Sequence, residues 1–268
     1  MELDKIHFER CEDTMHRLAS EGKSIDLVLT SPPYNTNKKF GKLKTVLDIK
    51  DKEAFPYLRY DTVLDVMTND EYMDWTVGVF NDFSKIVKPN GVVLYNLSYG
   101  NENTETMLNT VCKVIASTEW SLADIIVWKK SNALPNNVSP NRLTRIVEYV
   151  FVFCRGGEQK TFHCNKAVTS IRENGQRMYS GMYNFIEARN NDGSCPYNKA
   201  TFSSDLVLEL LNMYGVPDGV VYDPFMGSGT TAIGALRYGC HYIGSEVSEN
   251  QITFAEQRVL KWLDDHSS

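Results

Sequence analysis

The sequence predicts an α/β fold built around a mostly parallel sheet with one antiparallel strand. Short apolar runs of strand length alternate along the 268 residues with longer segments whose apolar residues recur at helical spacing. This is the pattern of strands joined by crossover helices. Two of these runs, 122–128 and 146–154, follow one another without a long helix between them. Parallel neighbours need such a crossover, so one of the two strands is expected to run antiparallel.

The individual elements follow from the same patterns. Strands are predicted at residues 25–29, 92–97, 122–128, 146–154, 219–223 and 241–246, where β-branched and aromatic residues concentrate. Helices are predicted at residues 11–18, 68–86, 104–118, 198–214 and 248–263, and another opens at residue 230. The second helix starts with Thr68 ahead of the acids Asp70 and Glu71, as capping and the helix dipole favour. It is expected to stop at the turn-forming residues 88–91.

Composition limits the class of protein. No run approaches 18 apolar residues, so no membrane span is predicted. The first residues lack the basic and apolar regions of a signal peptide. The six cysteines form no C-x-x-C pair, so neither a metal site nor a disulfide framework is expected, and a reducing cytoplasm is the predicted location.

The first strand, at 25–29, leads into an unusual turn, Ser31-Pro32-Pro33-Tyr34. Neither proline has an N–H to give to a sheet ladder, and each fixes its own φ angle and restricts the residue before it. The strand therefore ends in a rigid turn with a hydroxyl on one side and an aromatic ring on the other. Carboxyl ends of strands are where α/β sheets bind their ligands.

A second strand, at 219–223, leads into the glycine-rich segment 223–230, Asp-Pro-Phe-Met-Gly-Ser-Gly-Thr. Glycines let a ligand approach the backbone closely, and the N-terminus of the following helix favours a carboxylate or phosphate. Glu246 ends the next strand, 23 positions beyond Asp223, where an acid commonly binds ribose hydroxyls. The glycine spacing also fits a relaxed dinucleotide fingerprint, but a nicotinamide oxidoreductase would leave the Pro-Pro-Tyr turn unexplained.

Both motifs resemble those of one family. Residues 30–35, Thr-Ser-Pro-Pro-Tyr-Asn, resemble the acceptor motif of DNA methyltransferases that use S-adenosylmethionine to methylate an exocyclic amino group, and residues 223–230 resemble that family's cofactor motif. The resemblance implies one methyltransferase domain, 1–268, with a Rossmann-like sheet of seven strands. The acceptor motif comes first, as in the permuted beta group. The strands at 25–29 and 219–223 must then pair, so that the two motifs meet at one edge.

The resemblance implies a set of catalytic residues. The Ser31 hydroxyl oxygen and the Pro32 carbonyl would accept the two amino N–H bonds of the base, which is preorganised electrostatic catalysis. Tyr34 would stack on a base flipped out of the duplex. The expected catalytic residues are Ser31, Pro32, Pro33 and Tyr34.

It also implies a set of cofactor-binding residues. Asp223 would meet the ammonium group and Glu246 the ribose hydroxyls. The segment at 198–203 resembles the family's stretch before the cofactor motif, except that Asn198 and Ser203 replace its usual His and Pro. The expected residues are Asp223, Pro224, Phe225, Gly227, Ser228, Gly229, Thr230, Glu246, Thr201 and Phe202. Residues 128–130 and 142–149 resemble later motifs of the family only loosely.

Charge is distributed unevenly. The chain carries −6 overall, but residues 129–199 hold eleven Lys and Arg against five acids, a net +6 that leaves −12 for the rest. Residues 155–200 are therefore predicted to be an inserted target-recognition region that faces DNA phosphates, although a solvated Arg-rich loop has the same composition. Residues 36–60 are predicted to be a mobile loop near the acceptor site. The expected DNA-binding residues are Lys38, Lys39, Arg142, Arg145, Arg172, Arg177 and Arg189.

The substrate base is left open. In the family, Ser at the first acceptor position favours N4 of cytosine and Asp favours N6 of adenine, so cytosine is preferred here and adenine is the alternative. An RNA amino methyltransferase and a DNA-binding protein with a decayed catalytic site are weaker alternatives. Methylation at C5 of cytosine would need a Pro-Cys nucleophile, and the sequence has none.

Two partners are predicted besides double-stranded DNA. A homodimer is expected from the resemblance and from apolar residues that a monomer would struggle to bury, namely Tyr72, Met73, Trp75, Met107 and Val111. A restriction endonuclease is the functional partner that the resemblance suggests.

Overall fold

A computed structural model describes residues 2–35, 67–99, 104–135, 137, 139–192, 195–197, 201 and 203–266. The strands are β1 (Lys5–Phe8), β2 (Ile25–Thr30), β3 (Val87–Leu97), β4 (Trp120–Lys130), β5 (Val147–Arg155), β6 (Val168–Ile171), β7 (Arg177–Tyr179), β8 (Phe185–Ala188), β9 (Val220–Asp223) and β10 (His241–Glu246). The helices are α1 (Cys11–Ser20), α2 (Asn69–Ile86), α3 (Thr106–Ser117), α4 (Ser204–Tyr214), α5 (Thr230–Tyr238) and α6 (Glu249–His266).

The main sheet has the strand order β1-β10-β9-β2-β3-β5-β4-β8. Every neighbouring pair is parallel except the two that involve β5. The predicted mostly parallel sheet with one antiparallel strand is confirmed, and β5 is the strand that runs against the others. The described part of the sheet has eight strands rather than the expected seven.

Four strands were not predicted from the sequence: β6 and β7 form a separate two-stranded sheet, and β1 and β8 lie at the two edges of the main sheet. In β1 only Ile6 is buried, and β8 buries only alternate residues within a segment of otherwise polar composition. Strands of four residues, with one or two of them buried, leave almost no periodicity to read. Both strands form because a neighbouring strand supplies the hydrogen-bond ladder.

The turn expected at 88–91 lies inside β3 instead. The strand begins at Val87, directly after α2, and its register against β2 shifts in this stretch. Asn90 has a φ of 61°. A Cβ on Gly91 would lie 2.9 Å from the carbonyl oxygen of Asp26. The turn-forming residues thus make an irregularity within the strand, since β2 continues to pair on both sides of it.

Helices cover both faces of the sheet. On one face, α4, α5 and α6 pack through residues such as Leu210, Ala232 and Ala255. On the other, α1, α2 and α3 pack through Leu18, Phe80 and other fully buried side chains. The result is a three-layer α/β/α arrangement in which the carboxyl ends of the parallel strands open at one edge.

The helices on the second face hide the residues that suggested a dimer. Tyr72, Met107 and Val111 are buried in the core, and Met73 and Trp75 are partly buried. The expectation that these side chains remain exposed was wrong, because they pack between the helices and the sheet. The homodimer therefore stays a prediction that rests on the family resemblance.

Strands β2 and β9 are parallel neighbours in the middle of the sheet, with Leu27 beside Val221. This confirms the expected pairing. From β9 the chain continues to β10 on one side, whereas from β2 it continues to β3 on the other side. The loops after β2 and β9 therefore leave the sheet in opposite directions, and such a switch point opens a crevice in which α/β proteins bind ligands.

Within the ranges described, no helix is both long and apolar enough to cross a membrane. All six cysteines are free thiols. The described residues contain no group of three or more His, Cys, Asp or Glu that could hold a metal ion. The predicted loop at 36–60 lies outside the described residues.

Candidate active site

The turn after β2 is held by hydrogen bonds at both ends. Ser31 Oγ and Tyr34 Oη lie 2.7 Å apart. Asn35 has a φ of 54°, and its side-chain amide donates to the carbonyl of Met67 at 2.8 Å, which fastens the turn to the segment before α2. Pro32 is buried, whereas Ser31 and Tyr34 remain half-buried.

Three further polar side chains meet this turn. Asn96 near the end of β3, Lys130 at the end of β4 and Glu148 at the start of β5 come together because β5 runs antiparallel between β3 and β4. Tyr34 Oη donates to Glu148 Oε2 at 3.1 Å. Lys130 Nζ pairs with Glu148 Oε1 and lies 5.1 Å from the centroid of the Trp128 ring. We call Ser31, Tyr34, Asn96, Lys130 and Glu148 the acceptor cluster.

Asn96 lies at the centre of the acceptor cluster and is 1% exposed. Its Nδ2 donates to Tyr34 Oη, to Glu148 Oε2 at 3.0 Å and more weakly to Ser31 Oγ at 3.4 Å. Its Oδ1 is buried without a hydrogen-bond partner among the described residues. Leaving a buried acceptor unpaired costs about 1–3 kcal/mol. The reversed orientation of the amide would be less favourable still, because it would place Oδ1 against the Glu148 carboxylate.

No role for Asn96, Lys130 or Glu148 was predicted from the sequence. A signal for Glu148 was present, since it is the acid of strand β5, whose other residues up to Cys154 are apolar or aromatic. The partnership of the three residues was not readable, because it depends on the strand order β3-β5-β4.

The loop after β9 is organised by Asp223, which is fully buried. Its carboxylate accepts hydrogen bonds from Thr30 Oγ1 at 2.6 Å, from Thr231 Oγ1 at 2.6 Å and from the backbone N–H of Phe225 at 3.0 Å. Burial raises the pKa of Asp223 to about 6, and the hydrogen bonds from Thr231, Thr30 and Phe225 oppose that rise. Asp223 therefore ties β2, the loop and α5 together. Its contact with a cofactor ammonium group stays a prediction.

Gly229 and Glu246 shape the rest of this loop. Gly229 has a φ of 80°, and a Cβ there would lie 2.8 Å from the Cβ of Ala255, so any side chain would be strained and would strike α6. Glu246 accepts from the N–H of Gly227 at 2.8 Å and from the N–H of Ser248 at 2.9 Å. The glutamate at the end of β10 thus fixes both the loop and the start of α6.

An arginine that no sequence pattern singled out supports the loop from α6. Arg258 Nη1 donates to the carbonyl oxygen of Ser228 at 2.7 Å and to Thr230 Oγ1 at 3.3 Å. Its Nη2 pairs with Asp192 at 3.2 Å. Asp192 also accepts from the N–H of Ser204 at 2.7 Å. One guanidinium therefore joins the end of the predicted insertion, α4 and the loop at residues 223–230, which we call the glycine loop.

Other predicted cofactor residues lie around the same loop. Pro224 is buried, and Phe225 is half-buried with its ring centroid 5.4 Å from that of Trp75. Thr201 is half-buried, and Phe202 lies outside the described residues. Helix α4 begins at Ser204 rather than at 198, because Ser203 is its N-cap and accepts from the N–H of Asp205.

The predicted DNA-binding residues fall into three groups. Lys38 and Lys39 lie outside the described residues. Arg142 and Arg145 lie between β4 and β5, and Arg189 follows β8, so these three lie at the same sheet edge as Ser31. Arg172 and Arg177 belong to the separate β6–β7 hairpin. All five of these predicted DNA-binding arginines are exposed.

A family model described as DNA methylase, for N6 and N4 methyltransferases, matches residues 25–257. The chain belongs to this family. The Type II methyltransferase M.MthZI of Methanothermobacter thermautotrophicus is 24% identical to it over 281 residues, which cover 97% of this chain and 77% of that protein.

Two solved structures share the methyltransferase fold with this chain. The PvuII DNA methyltransferase, described as cytosine-N4-specific, has a TM-score of 0.66 at 18% identity, and the match covers 97% of this chain and 91% of that one. The M1.HpyAVI complex with SAM has a TM-score of 0.63 at 18% identity, and the match covers 95% of this chain and 98% of that one.

Family membership confirms the predicted enzyme class. The protein is a DNA amino methyltransferase that uses S-adenosylmethionine. The nicotinamide oxidoreductase suggested by the glycine spacing is set aside. The Rossmann-like sheet expected from the resemblance is confirmed by the fold that the methyltransferase shares with both solved structures.

Proposed function

We propose that this methyltransferase methylates the exocyclic amino group of a base flipped out of a specific DNA site, and that the acceptor is N4 of cytosine. One observation carries the proposal. The turn at residues 31–34, which we call the acceptor turn, and the glycine loop follow neighbouring strands and are joined by the 2.6 Å hydrogen bond from Thr30 to Asp223. A base at Ser31 and a methyl donor at the loop would therefore meet in one crevice.

The acceptor turn supplies the groups that an exocyclic amine needs. The amine lone pair is delocalised into the base, so the nitrogen is a poor nucleophile until its N–H bonds are held by acceptors. Ser31 Oγ and the Pro32 carbonyl oxygen are such acceptors, and they stabilise the positive charge that develops on nitrogen. The Tyr34 ring stacks on the base, which is worth roughly 1–3 kcal/mol. The target amine is paired inside a duplex, so the base must leave the stack.

The glycine loop fits S-adenosylmethionine. The left-handed backbone at Gly227 and Gly229 gives a tight turn in front of α5, whose N-terminus favours the carboxylate of the methionine moiety. Glu246, at the end of the adjacent strand, takes the ribose hydroxyls. When bound, the cofactor supplies an electrophilic methyl group on a positively charged sulfur. Asp223 fixes the shape of the loop through its hydrogen bonds with Thr30, Thr231 and the backbone N–H of Phe225.

Exposed arginines supply the DNA-facing surface. Arg142, Arg145 and Arg189 surround the edge at which the base enters, and Arg172 and Arg177 extend the surface along the hairpin of the 155–200 insertion. The permuted beta grouping, a homodimer and a partner restriction endonuclease remain predictions from the family resemblance.

Cytosine is preferred for two reasons. Serine opens the acceptor motif, as the family's N4-cytosine enzymes favour, and the PvuII enzyme described as cytosine-N4-specific shares the fold. Adenine N6 is the alternative, because its amine would meet the same acceptors.

Transfer of a labelled methyl group tests the proposal. The wild-type protein should label duplex DNA and leave an RNA of the same sequence unlabelled. Ser31→Ala should lower the single-turnover rate by roughly 10²–10³-fold, the range seen when one preorganised hydrogen-bonding group is removed. Its S-adenosylmethionine affinity, measured by calorimetry, should stay within about twofold, since the Ser31 hydroxyl bonds within the acceptor cluster. Equal rates for wild type and Ser31→Ala would remove the acceptor role of Ser31.

A further inference from the structure

We infer that Ser31, Tyr34 and Glu148 form a proton path that carries the proton released by the methylated amine to the buried carboxylate of Glu148. The inference deepens the proposed function and rests on it. It starts from two contacts, Ser31 Oγ to Tyr34 Oη at 2.7 Å and Tyr34 Oη to Glu148 Oε2 at 3.1 Å. Together they connect the predicted substrate-binding hydroxyl to a side chain that is 8% exposed.

The direction of these hydrogen bonds is set by Glu148. An ionised carboxylate can only accept, so the Tyr34 hydroxyl donates its proton to Glu148. The phenolic oxygen is then free to accept from the Ser31 hydroxyl. Ser31 thereby turns its proton away from the base and presents its lone pairs to the amino group. Without Glu148, the bond between Ser31 and Tyr34 could run in either direction.

Asn96 supports the same direction. Its Nδ2 donates to both Tyr34 Oη and Glu148 Oε2, so every oxygen between Ser31 and the carboxylate is approached by a donor. The buried Oδ1, unpaired within the part of the chain described here, shows what the arrangement costs. The cluster keeps a donor, rather than an acceptor, against Tyr34 and Glu148.

Lys130 stabilises the end of the path. Its ammonium pairs with the other carboxylate oxygen, and the pair is largely sheltered from water, with side-chain exposures of 16% for Lys130 and 11% for Glu148. Charges this sheltered need partners, and the ammonium supplies one while leaving Oε2 to Tyr34 and Asn96. Lys130 is a positioning residue in this scheme and transfers no proton.

The step balances in atoms and charge. The new N–C bond forms as the C–S bond breaks, and the electron pair of that bond stays on sulfur. One N–H proton of the amine moves to Ser31 Oγ, the Ser31 proton moves to Tyr34 Oη, and the Tyr34 proton moves to Glu148 Oε2. The positive sulfonium and the negative carboxylate are both neutral afterwards. Glu148 returns the proton to water when the product leaves.

Two nearly isosteric variants test the path. Tyr34→Phe keeps the stacking ring and removes the hydroxyl, while Glu148→Gln keeps the shape and removes the carboxylate. Each should lower the single-turnover methylation rate by roughly 100-fold, a typical loss for a proton-transfer group, with DNA and S-adenosylmethionine affinities within about twofold of wild type. The double variant should be no slower than the slower single variant, because both changes interrupt one path. Glu148→Asp should recover part of the rate lost in Glu148→Gln.

Glu119→Gln is the matched control. Glu119 precedes β4 and pairs with Arg155 of β5 at 2.7 Å, as Glu148 of β5 pairs with Lys130 of β4, but it is exposed and lies at the opposite end of the two strands. It should methylate at the wild-type rate. Single-variant rates within about threefold of that control, or losses that multiply in the double variant, would overturn the path. Inactivity of wild type and control alike would instead overturn the proposed function itself.

Discussion

The acceptor cluster and the glycine loop each contain a buried carboxylate at the same edge of the sheet, but the two carboxylates have different partners. Asp223 accepts from hydroxyls and a backbone N–H, and all of these contacts lie inside the fold. Glu148 forms an ion pair with Lys130 and accepts hydrogen bonds from the Asn96 amide and the Tyr34 hydroxyl. The Tyr34 hydroxyl in turn contacts Ser31. The contrast separates two functions. The partners of Asp223 fix the shape of a loop, whereas those of Glu148 connect the interior to Ser31, the proposed acceptor for the amino group of the base.

The largest effect on stability is expected from the ionisation of Asp223. Burial raises its folded-state pKa to about 6 from an ordinary value of 3.8, so the folded protein binds a proton that the unfolded chain releases at lower pH. This group's contribution is most favourable below about pH 4 and is lost as the pH rises to about 6, by about 3 kcal/mol in total.

Chemical denaturation of wild type and Asp223→Asn between pH 4 and 8 measures this contribution. The free energy of unfolding of wild type, minus that of Asp223→Asn, should decrease between about pH 4 and 6 and be flat above. A difference that increases with pH would mean that Asp223 has a lowered pKa, and the loop would then be held by a charge that its neighbours favour.

Gly229→Ala should produce the next largest effect. The left-handed backbone costs a residue with a Cβ about 1–2 kcal/mol, and the new methyl group would lie 2.8 Å from that of Ala255. We expect the free energy of unfolding to fall by about 2 kcal/mol and S-adenosylmethionine binding to weaken. Gly78→Ala is the control, since no atom lies within 4 Å of its Cβ position in α2. That change should stabilise slightly, and equal effects at both glycines would contradict the account of the turn.

Arg258→Gln should have a smaller effect, confined to the glycine loop. The variant loses the donors to Ser228, Thr230 and Asp192. We expect the dissociation constant of S-adenosylmethionine to rise about tenfold, the equivalent of one charged hydrogen bond. Lys261→Gln, an exposed change on the same helix, should leave it unchanged. If calorimetry finds the same affinity for Arg258→Gln and Lys261→Gln, the guanidinium does not shape the glycine loop.

The smallest effect is expected from the arginines of the β6–β7 hairpin, which belong to neither the acceptor cluster nor the glycine loop. Replacing Arg172 and Arg177 by Ala should weaken DNA binding. The slope of log affinity against log salt should become less negative by about 0.9 for each phosphate that is no longer neutralised. Arg237→Ala, an exposed change on α5, should leave the slope unaltered. A constant slope with relaxed sequence preference would instead show that the two arginines read bases.

Local motifs predicted the glycine loop better than the acceptor cluster. The residues from Asp223 to Thr230 are contiguous and have a recognisable spacing, and the pairing of β2 with β9 followed from the need to bring two motifs together. The partners of Tyr34 come from three strands, and their meeting depends on the insertion of antiparallel β5 between β3 and β4. Arg258 meets the loop only through the packing of α6. Single-sequence patterns record local periodicity, and they carry no signal for strand order or helix packing of this kind.

The most direct test is to identify the methylated nucleoside in DNA from cells that express the protein. After digestion, mass spectrometry should find N4-methylcytosine, and DNA from cells that express Ser31→Ala should lack it. Detection of N6-methyladenine instead would contradict the assignment of cytosine while retaining amino methylation. The absence of both methylated nucleosides in the wild-type sample would contradict the assignment of the acceptor cluster as the site of methyl transfer to DNA.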